Sequence, residues 1–286
     1  MKVSIDQALS MSKTLKSCSK TYRLDTEIIL GFIISKTREY LRAHGEKILT
    51  ELQGQQFEQM LNKRKQGVPV AYIVGNRHFW DFELTVNEAV LIPRPETELL
   101  VDIALKTLSA SKQTRKIADL GTGSGAIAIA LARENPDWCI DATDISPQAL
   151  DVARVNASNL KISNVNFYEG SWCDGLSDCS FDLIVANPPY LTFDDDHLKK
   201  GGLQFEPILA LAANDSGYSE LNEIIRESRR CLKKDSWLLL EHGYDQQNSL
   251  IEKLKSYGYS DVLGVKDYSG LDRVVTARWG GKDNWS

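Results

Sequence analysis

Residues 181–191, FDLIVANPPYL, end an apolar run on an asparagine, two prolines and a tyrosine. Asn187 precedes a proline and is pushed towards extended backbone. Pro188 and Pro189 fix their own φ angles and bring no N–H donors. The corner is therefore rich in acceptors, namely the Asn187 side-chain oxygen and exposed backbone carbonyls. Such a corner suits a substrate that carries its own donors, and an NH2 group is the simplest. Tyr190 adds a flat face for a planar amide or base. An amide or aromatic NH2 is a poor nucleophile because its lone pair is delocalised. Two acceptors gripping its hydrogens would aim that lone pair at a methyl carbon and strengthen as positive charge develops on nitrogen. Alignment for in-line displacement supplies part of the ~7–11 kcal/mol that orientation can contribute. The nitrogen turns acidic after transfer, so no strong dedicated base is required. Taken alone, the same four residues also read as a rigid turn after a strand.

A second constellation sits upstream. DLGTGSGAIAIALA places Gly121, Gly123 and Gly125 between a strand and a helix, with Thr122 and Ser124 between the glycines. Glycine permits a tight turn and close approach of a ligand to the backbone, at the strand end where open α/β sheets bind nucleotides. The next strand, WCIDATD, ends in Asp144, about 20 positions further on, the distance at which an acid accepts from ribose hydroxyls. The third glycine comes one residue too early for a dinucleotide loop, and no phosphate-binding lysine follows. The loop fits S-adenosylmethionine, an adenosine without phosphate.

These residues need a scaffold. From about residue 115, KIADL, WCIDATD, VNFYEG, FDLIVAN and SWLLLEHG read as strands, with DVLGVKD and DRVVTARW as a closing antiparallel pair. GAIAIALAREN, SPQALDVARVNASNL, SELNEIIRESRRCLKK and YDQQNSLIEKLKSYGY read as helices, the second opened by Ser146 as N-cap and Pro147 at the first helical position. The alternation predicts an α/β fold, a seven-stranded, mostly parallel Rossmann-like sheet with helices on both faces. Residues 1–75 carry apolar positions at helical spacing and are expected to form a small helical, partner-docking domain. Residues 76–92, with VNEAV as the turn, are expected to form a linking β-hairpin, and residues 93–286 the catalytic domain. Pro95, Glu96 and Glu98 suit the start of the helix that follows the hairpin.

Composition narrows the function. No stretch approaches the ~20 apolar residues of a membrane helix, and the first residues hold no apolar signal-like core, so no secretory signal is expected. Five scattered cysteines without a CxxC pair fit a reducing cytoplasm. The four histidines pair with none of them at ligand spacing, so no metal is expected. A net charge of −5 with no basic stripe disfavours nucleic acid as the main partner.

Beyond these readings, the chain resembles the bacterial peptide chain release factor N5-glutamine methyltransferases. AYIVGNRHFW, LIPRPETELLV, IADLGTGSGAIAIALA, VANPPY, FEPILAL, LLLEHG and DRVV occur in the family's order. The resemblance implies transfer of a methyl group from S-adenosylmethionine to the glutamine side-chain amide nitrogen in the Gly-Gly-Gln motif of class I release factors. S-adenosylhomocysteine is the product. It implies that residues 121–125 wrap the cofactor, Asp144 holds its ribose and Trp172 lies beside the adenine. Asn187 and the Pro188 carbonyl would grip the glutamine amide, with Pro189 and Tyr190 beside it. Gln204 stands where relatives often carry a basic residue, and Asp194, Asp195 and Asp196 read as a solvated loop. The rival reading is an adenine-N6 DNA methyltransferase, since an exocyclic adenine nitrogen suits the same corner. Base extrusion and a basic target-reading region go with that chemistry, and the acidic chain offers neither. A non-catalytic binding module is disfavoured because both constellations are intact.

Overall fold

The computed structural model describes residues 3–108, 113–199 and 201–281. The chain divides into two compact units, Met1–Asn76 with Asp196–Phe205, and Arg77–Asp195 with Glu206–Ser286.

The first unit is helical: α1 (Ile5–Ser10), α2 (Tyr22–Ile34), α3 (Arg38–Ala43), α4 (Glu51–Lys65) and α5 (Val70–Val74). Ser4 with Gln7 and Thr50 with Gln53 form capping boxes that start α1 and α4. Ile5, Leu15, Ile29, Leu30, Leu41, Phe57 and Leu61 make its core. Asp25 is buried there and accepts from Arg64 Nε and Ser19 Oγ, both at 2.7 Å, so its charge is neutralised.

The hairpin expected over residues 76–92 forms only over its first part. Pro69 N-caps α5, and Gly75, at φ 77°, ends it in the left-handed region. Strand β1 (Asn76–Phe79) then pairs with β2 (Phe82–Thr85). The turn falls at Trp80–Asp81, not at VNEAV. Trp80 takes φ 56°, a strained value for a bulky residue. It is held there by N–H donation to Glu98 Oε1 (3.0 Å) and indole donation to Glu134 Oε1 (2.7 Å).

The second unit carries a seven-stranded sheet. Its strands are β3 (Lys116–Leu120), β4 (Cys139–Asp144), β5 (Val165–Glu169), β6 (Phe181–Ala186), β7 (Leu232–Glu241), β8 (Tyr259–Lys266) and β9 (Asp272–Trp279). The spatial order is β5-β4-β3-β6-β7-β9-β8. The first five run parallel, and β9 is antiparallel to both β7 and β8. Its helices are α6 (Thr97–Leu108), α7 (Ala126–Glu134), α8 (Pro147–Asn159), the short turn α9 (Asn214–Gly217), α10 (Ser219–Cys231) and α11 (Gln247–Ser256). Alternate strand residues feed opposite faces. Ile117, Leu183 and Val185 pack with residues of α6 and α7, while Ala118, Leu120, Ile184 and Ala186 pack with residues of α10 and α11. The tail Leu-Lys-Lys expected to end α10 starts β7 instead. Leu232 is extended and buried, and pairs with Phe181. Among the described residues no helix is long and apolar enough to cross a membrane.

One buried side chain ties the hairpin to the sheet edge. Asn156 on α8 accepts from Thr85 N (2.7 Å) and donates to Thr85 O (3.0 Å) and Ser124 O (2.9 Å). Asn156→Ala leaves buried backbone groups unpaired and should lower the unfolding free energy by about 3 kcal/mol, read by urea denaturation.

Candidate active site

Strand β3 lies at the point where the strand order reverses. Leu120, its last residue, is the register partner of Thr143 on β4 and of Ala186 on β6. The residues that follow, Gly121, Asp144 and Asn187, therefore leave the sheet side by side. They share a cavity of about 330 Å3, lined also by Gly123, Trp172 and Pro189. Thr122, Ser124, Gly125, Pro188 and Tyr190 are not among its lining residues.

The glycine loop is shaped by hydrogen bonds. Gly121 and Thr122 both donate N–H to Thr143 O at 2.9 Å. Gly121, at φ 71°, leaves no room for a side chain, since a Cβ there would sit 2.9 Å from the Trp172 ring. At Gly123 an added Cβ would meet nothing within 4 Å, so the backbone is bare towards open space. The loop's own acid is Asp119, fully buried at the end of β3. Its Oδ2 accepts from Thr122 Oγ1 (2.6 Å) and from the Ala128 N–H (3.1 Å), and its Oδ1 has no partner. Burial pushes its carboxyl up to about 7.

Asp144 accepts from Gly123 N–H (2.8 Å) and Ser146 N–H (2.9 Å), one on each oxygen. Burial raises its pKa against those bonds. Each oxygen keeps capacity for a further hydrogen bond, the capacity a ribose diol needs. Trp172, at φ 45°, is fixed by its indole N–H on Glu220 Oε2 (2.9 Å) and by Thr143 Oγ1 donating to its carbonyl (2.7 Å). A bare glycine wall, an acid with spare acceptor capacity and an indole flank make a cradle that fits an adenosine. The cavity falls within the ~300–1,000 Å3 of small-molecule sites.

At the corner, Asn187 Nδ2 donates to Thr97 Oγ1 (3.1 Å). Thr97 opens α6, and the segment before it is pinned by Glu206, which accepts from Ile92 N–H (3.0 Å) and Arg94 Nη2 (2.6 Å). The Tyr190 hydroxyl is pushed up to about 12, by burial first and then by the Glu241 charge.

Two families match this chain: the methyltransferase small domain over residues 96–200 and the PrmC N-terminal domain over residues 9–75. The release factor glutamine methyltransferase of Coxiella burnetii is 44% identical over 271 residues, covering 95% of this chain and 97% of that relative. The chain belongs to the release factor glutamine methyltransferase family. With that membership goes S-adenosylmethionine as cofactor. The Salmonella typhimurium member is 45% identical, covering 91% of this chain and 94% of its own. Among solved structures, the hMettl16 catalytic domain in complex with the MAT2A 3'UTR hairpin 6 superposes with a TM-score of 0.56 at 18% identity, over 71% of this chain and 77% of that one. That likeness concerns the fold alone.

Asp119, Thr97 and Glu241 lie inside the motifs that mark the family, and Thr143 and Glu220 outside them, but none of the five was singled out from the sequence. Asp119 and Glu241 had a readable signal: each is a lone acid inside or ending an apolar strand, in KIADL and SWLLLE. Thr97, Thr143 and Glu220 had none, because what distinguishes them is a partner distant in the chain.

Two outcomes follow from the loop. Gly121→Ala places a methyl against the indole at a left-handed φ, and should weaken S-adenosylmethionine binding on the order of tenfold or more by calorimetry. For Asp119 the folded pKa lies above the unfolded one, so its contribution to stability is full below about pH 4 and is lost as pH rises through about 7. Asp119→Asn, which cannot titrate, should therefore gain stability relative to the parent chain between those values, and the gap should stop changing above them. Urea unfolding across that pH range reads it.

Proposed function

We propose that this chain methylates the side-chain amide nitrogen of the glutamine in the Gly-Gly-Gln motif of class I peptide chain release factors, and so modulates translation termination. The observation that carries the reading is the single cavity into which Gly121, Asp144 and Asn187 emerge from neighbouring strands. Family membership supplies the substrate class.

Gly121, Thr122, Gly123, Ser124 and Gly125 form the loop around the cofactor. Gly121 and Gly123 offer bare backbone, while the Thr122 hydroxyl and the Ser124 carbonyl hold the loop's shape through Asp119 and Asn156. Asp144 takes the ribose hydroxyls and Trp172 flanks the adenine. When bound, S-adenosylmethionine supplies an electrophilic methyl group on a sulfonium. Asn187 Oδ1 and the Pro188 carbonyl accept the two hydrogens of the glutamine NH2, and Tyr190 and Pro189 pack beside the amide plane. Donation of Asn187 Nδ2 to Thr97 supports this role, because it turns Oδ1 away from Thr97. The nitrogen forms its bond to the methyl carbon as the sulfur–carbon bond breaks. The proton then leaves the now acidic nitrogen for solvent, and neutral S-adenosylhomocysteine remains.

The helical residues 1–75 serve as the release-factor docking domain, residues 76–92 as the connection and residues 93–286 as the catalytic domain. A translation factor as substrate places the protein in the cytoplasm, in keeping with five free cysteines.

Purified protein, S-adenosylmethionine and an intact release factor should yield a Gly-Gly-Gln peptide heavier by one methyl group in peptide mass spectrometry. An unmodified peptide, with methylated adenine in a parallel DNA reaction, would favour the rival chemistry. Asn187→Ala should reduce turnover by about a hundredfold or more while leaving cofactor affinity nearly unchanged.

A further inference from the structure

Two loops far apart in the sequence line the cavity: Val90 and Leu91 lie ahead of α6, while Pro207, Leu209 and Ala210 come after the corner. One carboxylate joins them. Glu206 is buried; its Oε2 accepts from Ile92 N–H (3.0 Å) and its Oε1 from Arg94 Nη2 (2.6 Å). Each oxygen holds a different residue of the same loop, so distance and direction are both fixed. The Arg94 guanidinium also neutralises a charge that would be costly to bury alone. In Ile92-Pro93-Arg94-Pro95 the two prolines bring no N–H. The loop thus has few backbone donors by which to be anchored, and Glu206 takes one of them.

From Glu206 the contacts run in a ring that includes the acceptor corner. Arg94 O accepts from Thr97 N–H (3.1 Å), and Thr97 Oγ1 accepts from Asn187 Nδ2 (3.1 Å). On the other side, Glu206 leads through the single helical turn Ile208–Ala210 to Leu211, whose carbonyl accepts from Leu191 N–H (3.0 Å). Leu191 O accepts in turn from Ala213 N–H (2.8 Å). Leu191 directly follows Tyr190, so the chain from Asn187 to Leu191 closes the circuit. The corner is gripped at both ends, and the two grips meet at Glu206.

We propose that Glu206 is a positioning residue for methyl transfer: by clasping the loop at residues 92–94 to the segment that pairs with Leu191, it closes a rigid frame that holds Asn187 in line with the glutamine amide. This rests on the glutamine-amide reading of the site. With the clasp open, the first turn of α6 and the 207–213 segment are free to part, and Asn187 shifts with Thr97. The acceptors then lose their aim at the substrate nitrogen, and a misplacement of about 1 Å remote from the chemistry can cost on the order of 100-fold in rate. The cofactor end lies outside the ring. Gly121 is held there by Thr143, and Asp144 by Gly123 and Ser146.

The experiment measures kcat on a release factor and S-adenosylmethionine Kd for the full chain and for Glu206→Gln, Arg94→Met and Arg94→Lys, with circular dichroism as the check of folding. The amide introduced by Glu206→Gln must set its NH2 against a donor, either Ile92 N–H or Arg94. It should lower kcat on the order of tenfold or more, with cofactor Kd within about twofold. Placed on Asn187→Ala, the same substitution should lower kcat by less than about threefold, because the group it aligns is gone, whereas a merely structural role would cost the same factor in both backgrounds. Arg94→Met should lower kcat similarly, and Arg94→Lys, which returns a cation to the carboxylate, should recover most of the loss. Should Glu206→Gln fail to fold, the Met and Lys pair decides alone. A folded Glu206→Gln protein with the parent's kcat overturns the inference, as do equal losses in the two Asn187 backgrounds or a Lys variant no better than Met. A parent chain that leaves the glutamine unmethylated overturns the functional reading, and this inference with it.

Discussion

The register of three parallel strands is the constraint on which the rest of the site depends. Leu120 sits between Thr143 and Ala186, so the chain leaves β3, β4 and β6 at one level of the sheet. Side-chain period in a strand is two, and a slip of one residue would turn every buried residue of that strand to the other face. Ile117, Ala118, Asp119 and Leu120 are each buried on their own faces, which makes such a slip prohibitive. The packing of apolar residues thus sets the height of the three loops and brings their polar ends together. The adjacent reversal of strand order opens the crevice they line.

On that frame the site is held by polar groups bonded to backbone. Asp119, Asp144 and Asn156 accept from or donate to the main chain of the glycine loop, its neighbours or the hairpin, which rigidifies a segment rich in glycine. The cost appears as buried acids whose pKa values are raised by desolvation, Asp119 and Glu241 above all. Neither lines the cavity. Asp119 acts on the cavity's glycine wall through the loop's shape.

The differences between sequence expectation and structure cluster where local pattern is ambiguous. The hairpin turns at Trp80–Asp81, where the bulky Trp80 is no usual turn former, because Glu98 and Glu134 satisfy the tryptophan's two donors. Leu232 reads as the end of a helix and is a strand residue, since pairing with Phe181 outweighs the helical propensity of Leu-Lys-Lys. In each case a partner distant in the chain decided a local conformation.

The sequence by itself determined the α/β alternation, the strand count and the two constellations at Gly121–Gly125 with Asp144 and at Asn187–Tyr190. Those signals are local: apolar periodicity, glycines where a chain must turn, and prolines that fix φ. Only the tertiary structure decided that Gly121, Gly123, Asp144, Asn187 and Pro189, from both constellations, line one cavity. It also decided that the Thr122 hydroxyl serves the loop's acid, and that Asn187 Nδ2 donates to Thr97. The physical reason is that hydrogen-bond direction depends on which groups meet after folding, and Thr97 and Asn187 meet only because α6 packs beside β6.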